Sequence, residues 1–221
     1  MTRILYSGTK NASSWAFRAW LALREAGIEF EERVVDIRKP QRFENLNRIV
    51  EFSPPAAVPV LVDGETVIFD SLAIMEYANE LAGNKFLPRE PRLRARARSF
   101  LAWQHAGLSG LCPRLSFESA FYPDKRAMTF DEQAQSARAY DAFEKQLSHS
   151  GGPYLFGDLS LADMALVPTA LRLASHTPGD RLSQWPQVAA WNDRLMARES
   201  VREWLSEANG LPVVRLPDYM P

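Results

Sequence analysis

Ser13 and Ser14 stand at the head of a helical period that runs to Ala26 and stops at Gly27. A hydroxyl there donates a hydrogen bond to an anion, and the helix dipole favours negative charge at the same point. A thiolate is one such anion: a free thiol, with a pKa of about 8.5, is mostly protonated at pH 7 and must lose its proton to attack. Ser13 is equally an N-cap by type, and capping and anion stabilisation are compatible. Asp70-Ser71 caps a further helical period, Leu72 to Leu81, and Val58-Pro59 heads a short β run. Alone, the first is an ordinary cap pair and the second a strand-initiating proline. His105, His149 and His176 are scattered without metal-ligand spacing, and Cys112 is the single cysteine, so no structural zinc site and no internal disulfide is expected. Cys112, before Pro113, reads as a small buried hydrophobe or as an oxidation-sensitive thiol.

These groups need elements to position them. Arg3 to Tyr6 reads as a strand, Ser7 to Ala12 as a loop, and Trp15, Ala19, Trp20, Ala22 and Leu23 recur at helical spacing. Ile28 to Ile37 reads as a second strand and Phe43 to Val50 as a weaker helix ended by Ser53-Pro54-Pro55. Val58 to Val62 and Thr66 to Phe69 flank an Asp63-Gly64 hairpin signal. After Leu81 a linker holding Gly83, Pro88 and Pro91 leads into helical periods only: Arg92 to Leu108, Phe130 to Leu147, Leu161 to Ala174, Pro186 to Met196 and Val201 to Glu207. Ser160 and Asp163 form a capping box ahead of the third of these, with Leu159 and Met164 placed as its staple.

The chain has 221 residues, a formal charge of -1 and 24% charged residues, which fits one large or two small globular domains able to bury a core. The near-balanced charge argues against nucleic acid as the main partner. Arg92, Arg94, Arg96 and Arg98 form one basic run, with Arg94 and Arg98 on one helical face that is solvated or meets a second copy. No stretch approaches the roughly 18 uninterrupted apolar residues of a membrane span, and no signal peptide is expected. A reducing cytoplasmic location is the simplest assumption.

In this order and spacing, Ser13 with Arg18 and Gly27, Val58-Pro59, Asp70-Ser71 and the Ser160–Asp163 box resemble a cytosolic glutathione transferase. The resemblance covers nearly the whole chain. It is nearest the serine-type group that includes zeta-class and related bacterial enzymes. It implies a thioredoxin-like α/β domain over residues 1–82 and an all-α domain over 92–221 that contributes the electrophile pocket. It further implies glutathione as co-substrate, no metal, a homodimer and a role in detoxification. Ser13 would hold the glutathione thiolate for attack on a small electrophile, with Ser14 and Asn11 as alternatives across the Gly8 to Ala12 loop. Val58-Pro59 would resemble a cis bond and present Val58 to the peptide in β-fashion. Asp70 would meet the γ-glutamyl ammonium and Ser71 its carboxylate. Ala57 stands where a polar or basic side chain often precedes the Val-Pro unit, so Lys39 or Arg42 would take the glycine carboxylate, unless both are solvated surface. Tyr6, on the first strand, is core or pocket wall. Candidates for the pocket are Trp103, His105, Phe117, Phe121 and Tyr122, with Arg114 facing an anionic substrate; the bland alternative is core for the aromatics and surface for Arg114. Within the enzyme class the alternatives are glutathione-dependent cis-trans isomerisation of a maleylacetoacetate-type diketo acid and glutathione peroxidase. Outside it stands a non-catalytic binding or assembly module.

Overall fold

The computed structural model of the chain describes residues 2–38, 40–177, 179–213 and 215–220. A four-stranded sheet of order β2-β1-β3-β4 is built from β1 (Arg3–Gly8), β2 (Glu31–Val35), β3 (Val60–Asp63) and β4 (Thr66–Phe69). β1 and β2 run parallel, joined by the crossover helix α1 (Ser14–Glu25). β3 pairs antiparallel with both β1 and β4. The Gly64 turn between β3 and β4 has φ +61°, as a tight hairpin requires. Helices α2 (Arg42–Asn47) and α3 (Ser71–Leu81) complete this part.

The second strand starts three residues later than the apolar pattern suggests, because the end of α1 takes Gly27 and Ile28 for itself. Gly27, at φ +70°, donates to Arg24 O, and Ile28 N reaches back to Leu23 O at 3.0 Å. These two bonds make a Schellman termination, which satisfies carbonyls the helix would leave open.

Beyond the linker the regular structure is helical: α4 (Pro91–His105), α5 (Leu111–Arg114), α6 (Phe130–Ser148), α7 (Leu161–His176), α8 (Pro186–Met196) and α9 (Glu199–Asn209). Two isolated bridges, Tyr154 with Gly157 and Phe156 with Asp158, add no strand. α5 has no counterpart in the sequence pattern. It follows Gly107, Leu108, Ser109 and Gly110, all at positive φ, a backbone path that hydrophobic periodicity does not encode. Among the described residues no helix is long and apolar enough to cross a membrane.

One core joins the sheet side to the helical side. Residues Ala16 to Leu23 of α1 are all buried, Phe17 stacks on Trp204 of α9 at 4.7 Å, and Trp20 meets the same indole edge-on at 5.5 Å. α7 is buried around its whole circumference from Leu161 to Ala170. Its capping box is in place: Asp163 accepts from Ser160 N (2.9 Å), Ser160 Oγ (2.6 Å), Leu155 N (3.0 Å) and Trp191 Nε1 (2.8 Å), and Ser160 Oγ accepts from Asp163 N. Burial alone pushes the Asp163 carboxyl up, and these bonds pull against it. A fully buried helix whose N-terminus is closed this way holds its later turns at a fixed place beside α1.

Candidate functional site

The N-terminus of α1, the start of β3, the N-terminus of α3, the end of α4 and one face of α5 and α7 enclose a cavity of about 540 Å³, within the ~300–1,000 Å³ range of small-molecule sites. Ser13, Ser14, Val58, Pro59, Asp70, Ser71, His105, Cys112, Phe117, Glu118 and Arg172 are among its walls.

Ser13 is the N-cap of α1. Its Oγ accepts from Ala16 N at 3.2 Å, which leaves the hydroxyl proton free to donate toward the cavity. Gly8 makes this placement possible, since a Cβ there would lie 2.7 Å from Ser13 Cβ and 2.8 Å from Oγ. The intervening loop is pinned from outside. Lys10, buried, pairs with Glu32 (3.0 Å) and Glu207 (2.8 Å) beside the rings of Trp20 and Trp204. Trp204 Nε1 donates to Lys10 O, and the Asn11 amide donates to Pro212 O at 3.1 Å. Asn11 is thereby turned to a smaller neighbouring cavity of about 170 Å³, while Ser13 and Ser14 face the larger one.

The Val58-Pro59 bond is cis. Asp70 caps α3 by accepting from Leu72 N at 2.7 Å. It does so at φ +79°, ψ 130°, a region costing a non-glycine residue about 1–3 kcal/mol and met mostly where a site demands it. Ser71 is buried, and its Oγ accepts from both Nε (3.0 Å) and Nη2 (2.7 Å) of Arg18. With its lone pairs so used, the Ser71 hydroxyl proton is free. Arg18 Nη2 also lies 3.1 Å from His105 Nδ1; arginine only donates, so Nδ1 accepts and Nε2 carries the proton, facing Asp70 at 3.5 Å. The guanidinium stacks 4.0 Å from the centroid of Trp15, whose ring meets His105 edge-on. Burial lowers the Arg18 pKa, and the Asp70 charge opposes that shift.

The helical wall is different in kind. Arg172 of α7 is 3% exposed, and the guanidinium lies 5.9 Å from the Phe117 ring. Its Nη1 donates to Cys112 O at 3.2 Å, while Nε is buried without an acceptor. Glu118 hydrogen-bonds Ser116 and its own backbone amide, and burial pushes its carboxyl up. The Cys112 thiol is half-buried, 3.9 Å from Thr169 Oγ1.

Of the residues expected from sequence, Ser13, Val58, Pro59, Asp70, Ser71, His105 and Phe117 share this cavity, and Ala57 and Arg42 line it too. Four expectations for the pocket fail on placement. Trp103 is turned away from the cavity, packed against Phe100 and Phe143 with its Nε1 donating to Ser109. Arg114 is ion-paired with Asp131 on the surface. Phe121 and Tyr122 are also absent from the wall; Phe121 backs Phe117 edge-on at 5.3 Å. Tyr6 packs against Phe52 on the far side of the sheet. Lys39 lies outside the described residues. Sequence reasoning passed over Trp15 and Arg172. Trp15 was legible as the aromatic beside Ser13 and Ser14. Arg172 gave one signal, a lone cation in the apolar run Leu161 to Ala174.

Residues 12–81 match the family model described as glutathione S-transferase, N-terminal domain, and residues 116–208 the one described as glutathione S-transferase, C-terminal domain. Over 90% of this chain and 89% of the relative, the sequence is 31% identical to glutathione S-transferase 1 of Dianthus caryophyllus. It is 32% identical to maleylacetoacetate isomerase of Mus musculus over 89% of this chain and 88% of that one. In fold it is similar to a glutathione transferase homologue from Burkholderia, solved with bound glutathione, at TM-score 0.70 and 24% identity, covering 96% of this chain and all of that one.

Proposed function

The chain belongs to the glutathione S-transferase family, and from that premise we propose that it conjugates glutathione to a small electrophile, with Ser13 holding the thiolate. The observation that carries this is the Ser13 hydroxyl at the head of α1, its lone pair given to Ala16 N and its proton free toward the cavity. Glutathione would lie along the cis Val58-Pro59 edge, where Val58 offers backbone groups in strand fashion. Its γ-glutamyl carboxylate would take the free Ser71 proton and the α3 amides, and its ammonium would face Asp70. Arg18 positions this end by fixing Ser71 and His105. The glycine carboxylate would meet Arg42, which lines the cavity where Ala57 offers no charge.

In the conjugation itself the sulfur lone pair forms the new C–S bond, the leaving group departs with its electron pair, and the thiol proton has already passed to solvent. The hydrogen bond from Ser13 is made to the ionised sulfur, so it favours thiolate over thiol. Replacing Ser13 by Ala should lower kcat for a chloronitrobenzene substrate about ten- to hundredfold with little change in the KM for glutathione. Unchanged kcat would move the role to Ser14. A second reading, glutathione-dependent cis-trans isomerisation of a diketo acid, is favoured by the identity shared with the mouse isomerase. With either chemistry the protein would act in the cytoplasm as a homodimer, and conjugation would serve detoxification.

A further inference from the structure

Cys112 is the single cysteine of the chain. It is half-buried on the wall of the large cavity, and two residues of α7 hold it there. Arg172 Nη1 donates to its carbonyl at 3.2 Å, and Thr169 Oγ1 lies 3.9 Å from its Sγ. Residues 169 and 172 are three apart on one face of α7, so a single helix, closed at its start by the Ser160–Asp163 box, grips both the carbonyl and the thiol. The Cys112 amide donates to Gly107 O at 3.1 Å, where the positive-φ path that leads into α5 begins. Burial lowers the pKa of Arg18 and of Arg172, and an ionised Cys112 opposes that shift at both, so a thiolate here lies within electrostatic reach of two cations. A second polar group on the same wall has an open valence. Gln104 of α4 is 6% exposed and lines the cavity, and among the described residues its buried Oε1 has no donor. A buried carbonyl oxygen costs free energy until an N–H reaches it, which points to a ligand that carries peptide amides to this part of the cavity.

We propose that Cys112 is a thiol-disulfide exchange site for glutathione disulfide, taking the outer glutathionyl group while the inner one is held at Ser13. This rests on the glutathione site of the transferase reading and goes beyond it, since conjugation uses no protein thiol. In the exchange Cys112 gives its proton to solvent, and its thiolate attacks the outer sulfur. The bond from Cys112 Sγ to that sulfur forms and the S–S bond of glutathione disulfide breaks. The inner sulfur keeps the bonding pair and leaves as a thiolate, to which the Ser13 hydroxyl donates. Cys112 is thereby oxidised and one glutathione reduced, with no further reactant. The new glutathionyl group would lie along Phe117 and Pro113, with a peptide N–H on Gln104 Oε1. It fills the space that an electrophile needs, so conjugation stops until a second glutathione thiolate reverses the exchange.

The test follows the intact mass of the wild-type protein in glutathione disulfide and, separately, in hydroxyethyl disulfide. Each rate of mixed-disulfide formation is divided by that of N-acetylcysteine with the same reagent. The expected result is one glutathionyl group per chain, removed by dithiothreitol, with a normalised rate about tenfold or more above that for hydroxyethyl disulfide, because the cavity presents the bound disulfide to the thiol. S-methylglutathione, which competes for the glutathione site, should slow the glutathione disulfide reaction and not the other. Gln104→Leu should lower the normalised glutathione disulfide rate about threefold or more and leave that of hydroxyethyl disulfide in place. Conjugating activity should fall as the modification proceeds and return with dithiothreitol, while Cys112→Ser keeps its own untreated activity through the same treatment. Equal normalised rates for the two disulfides, or a glutathione disulfide rate that S-methylglutathione leaves unchanged, would overturn the proposal while the transferase reading stands. Both readouts use the wild-type chain, so they decide even where a variant does not fold. Calorimetric titration with glutathione separates the two levels, because absence of saturable binding would overturn the transferase reading and, with it, this one.

Discussion

Arg18 and Arg172 are both buried guanidinium groups beside the same cavity, one on the sheet side and one on the helical side, and they are held in opposite ways. Arg18 is held at two of its nitrogens: Nε and Nη2 both donate to Ser71, Nη2 also to His105, and Trp15 stacks on its face. Among the described residues Arg172 makes one hydrogen bond, to a neutral carbonyl. The sheet side is organised before any ligand arrives, as suits a half-site that takes one fixed co-substrate. The helical side holds its cation more loosely, beside the Glu118 carboxyl that attracts it. The same contrast recurs between the Ser160–Asp163 box and a second capping box, in which Thr129 and Glu132 open α6. Glu132 of α6 is gripped by Arg126 at 2.7 and 2.8 Å, whereas Asp163 of α7 is buried with four hydrogen bonds and no cation.

Breaking the α7 box should have the largest effect. Asp163→Ala strands the amides of Leu155 and Ser160 and the Trp191 indole N–H in a dry core, at a cost of about 3–5 kcal/mol; urea unfolding measures it, and a loss under 1 kcal/mol would show that α7 is positioned by packing alone. Next comes the pair of arginines. Arg18→Met should cost about 2–4 kcal/mol and weaken glutathione binding, since Ser71 and His105 both lose their donor. Arg172→Met should cost about 1–2 kcal/mol less than Arg18→Met, because among the described residues it gives up one hydrogen bond to a carbonyl and its attraction to Glu118, and no ion pair. Equal destabilisation by both, read from urea midpoints at constant m, would erase the contrast.

The smallest effect is a pH dependence. Arg126 holds the Glu132 pKa down, from the usual 4.5 to about 2. A carboxyl depressed in the folded state adds stability that is complete above its unfolded pKa and is lost as pH falls toward the folded one. Wild type should therefore exceed Glu132→Gln by about 1 kcal/mol near pH 7, and the gap should close between about pH 4.5 and pH 2. Thermal unfolding across that range checks it; a gap independent of pH would mean that the Arg126 pair contributes nothing.

Local signals made much of this legible. The Ser160–Asp163 box, the Gly27 stop and the Asp70-Ser71 cap are short-range features, written within a few residues and reproduced where the spacing placed them. The four strands followed from apolar runs and turn residues in the same way, and the thioredoxin-like arrangement from the family resemblance. What failed depended on which side of a helix faces the cavity. Trp103 and His105 are two residues apart on α4, so they point to different sides; only His105 reaches the cavity. Arg114 and Arg172 are both cations near Cys112, but one is carried by α5 to an exposed pair with Asp131, and the other is brought from 60 residues away. The positive-φ path from Gly107 to Gly110 decides that outcome, and no periodicity announces it. The placement of Asn11 depended on the tail carbonyls at Leu211 and Pro212 that draw its side chain aside, 200 residues away in the chain.

The central claim is that Ser13 stabilises a thiolate in this cavity. Ultraviolet difference titration of the glutathione complex across pH tests it most directly, by following the thiolate band. The band should rise with a midpoint at least one unit below the ~8.5 of a free thiol, and Ser13→Ala should return it about one unit or more toward that value while glutathione still binds. A midpoint that Ser13→Ala leaves in place, with binding intact, would contradict the assignment.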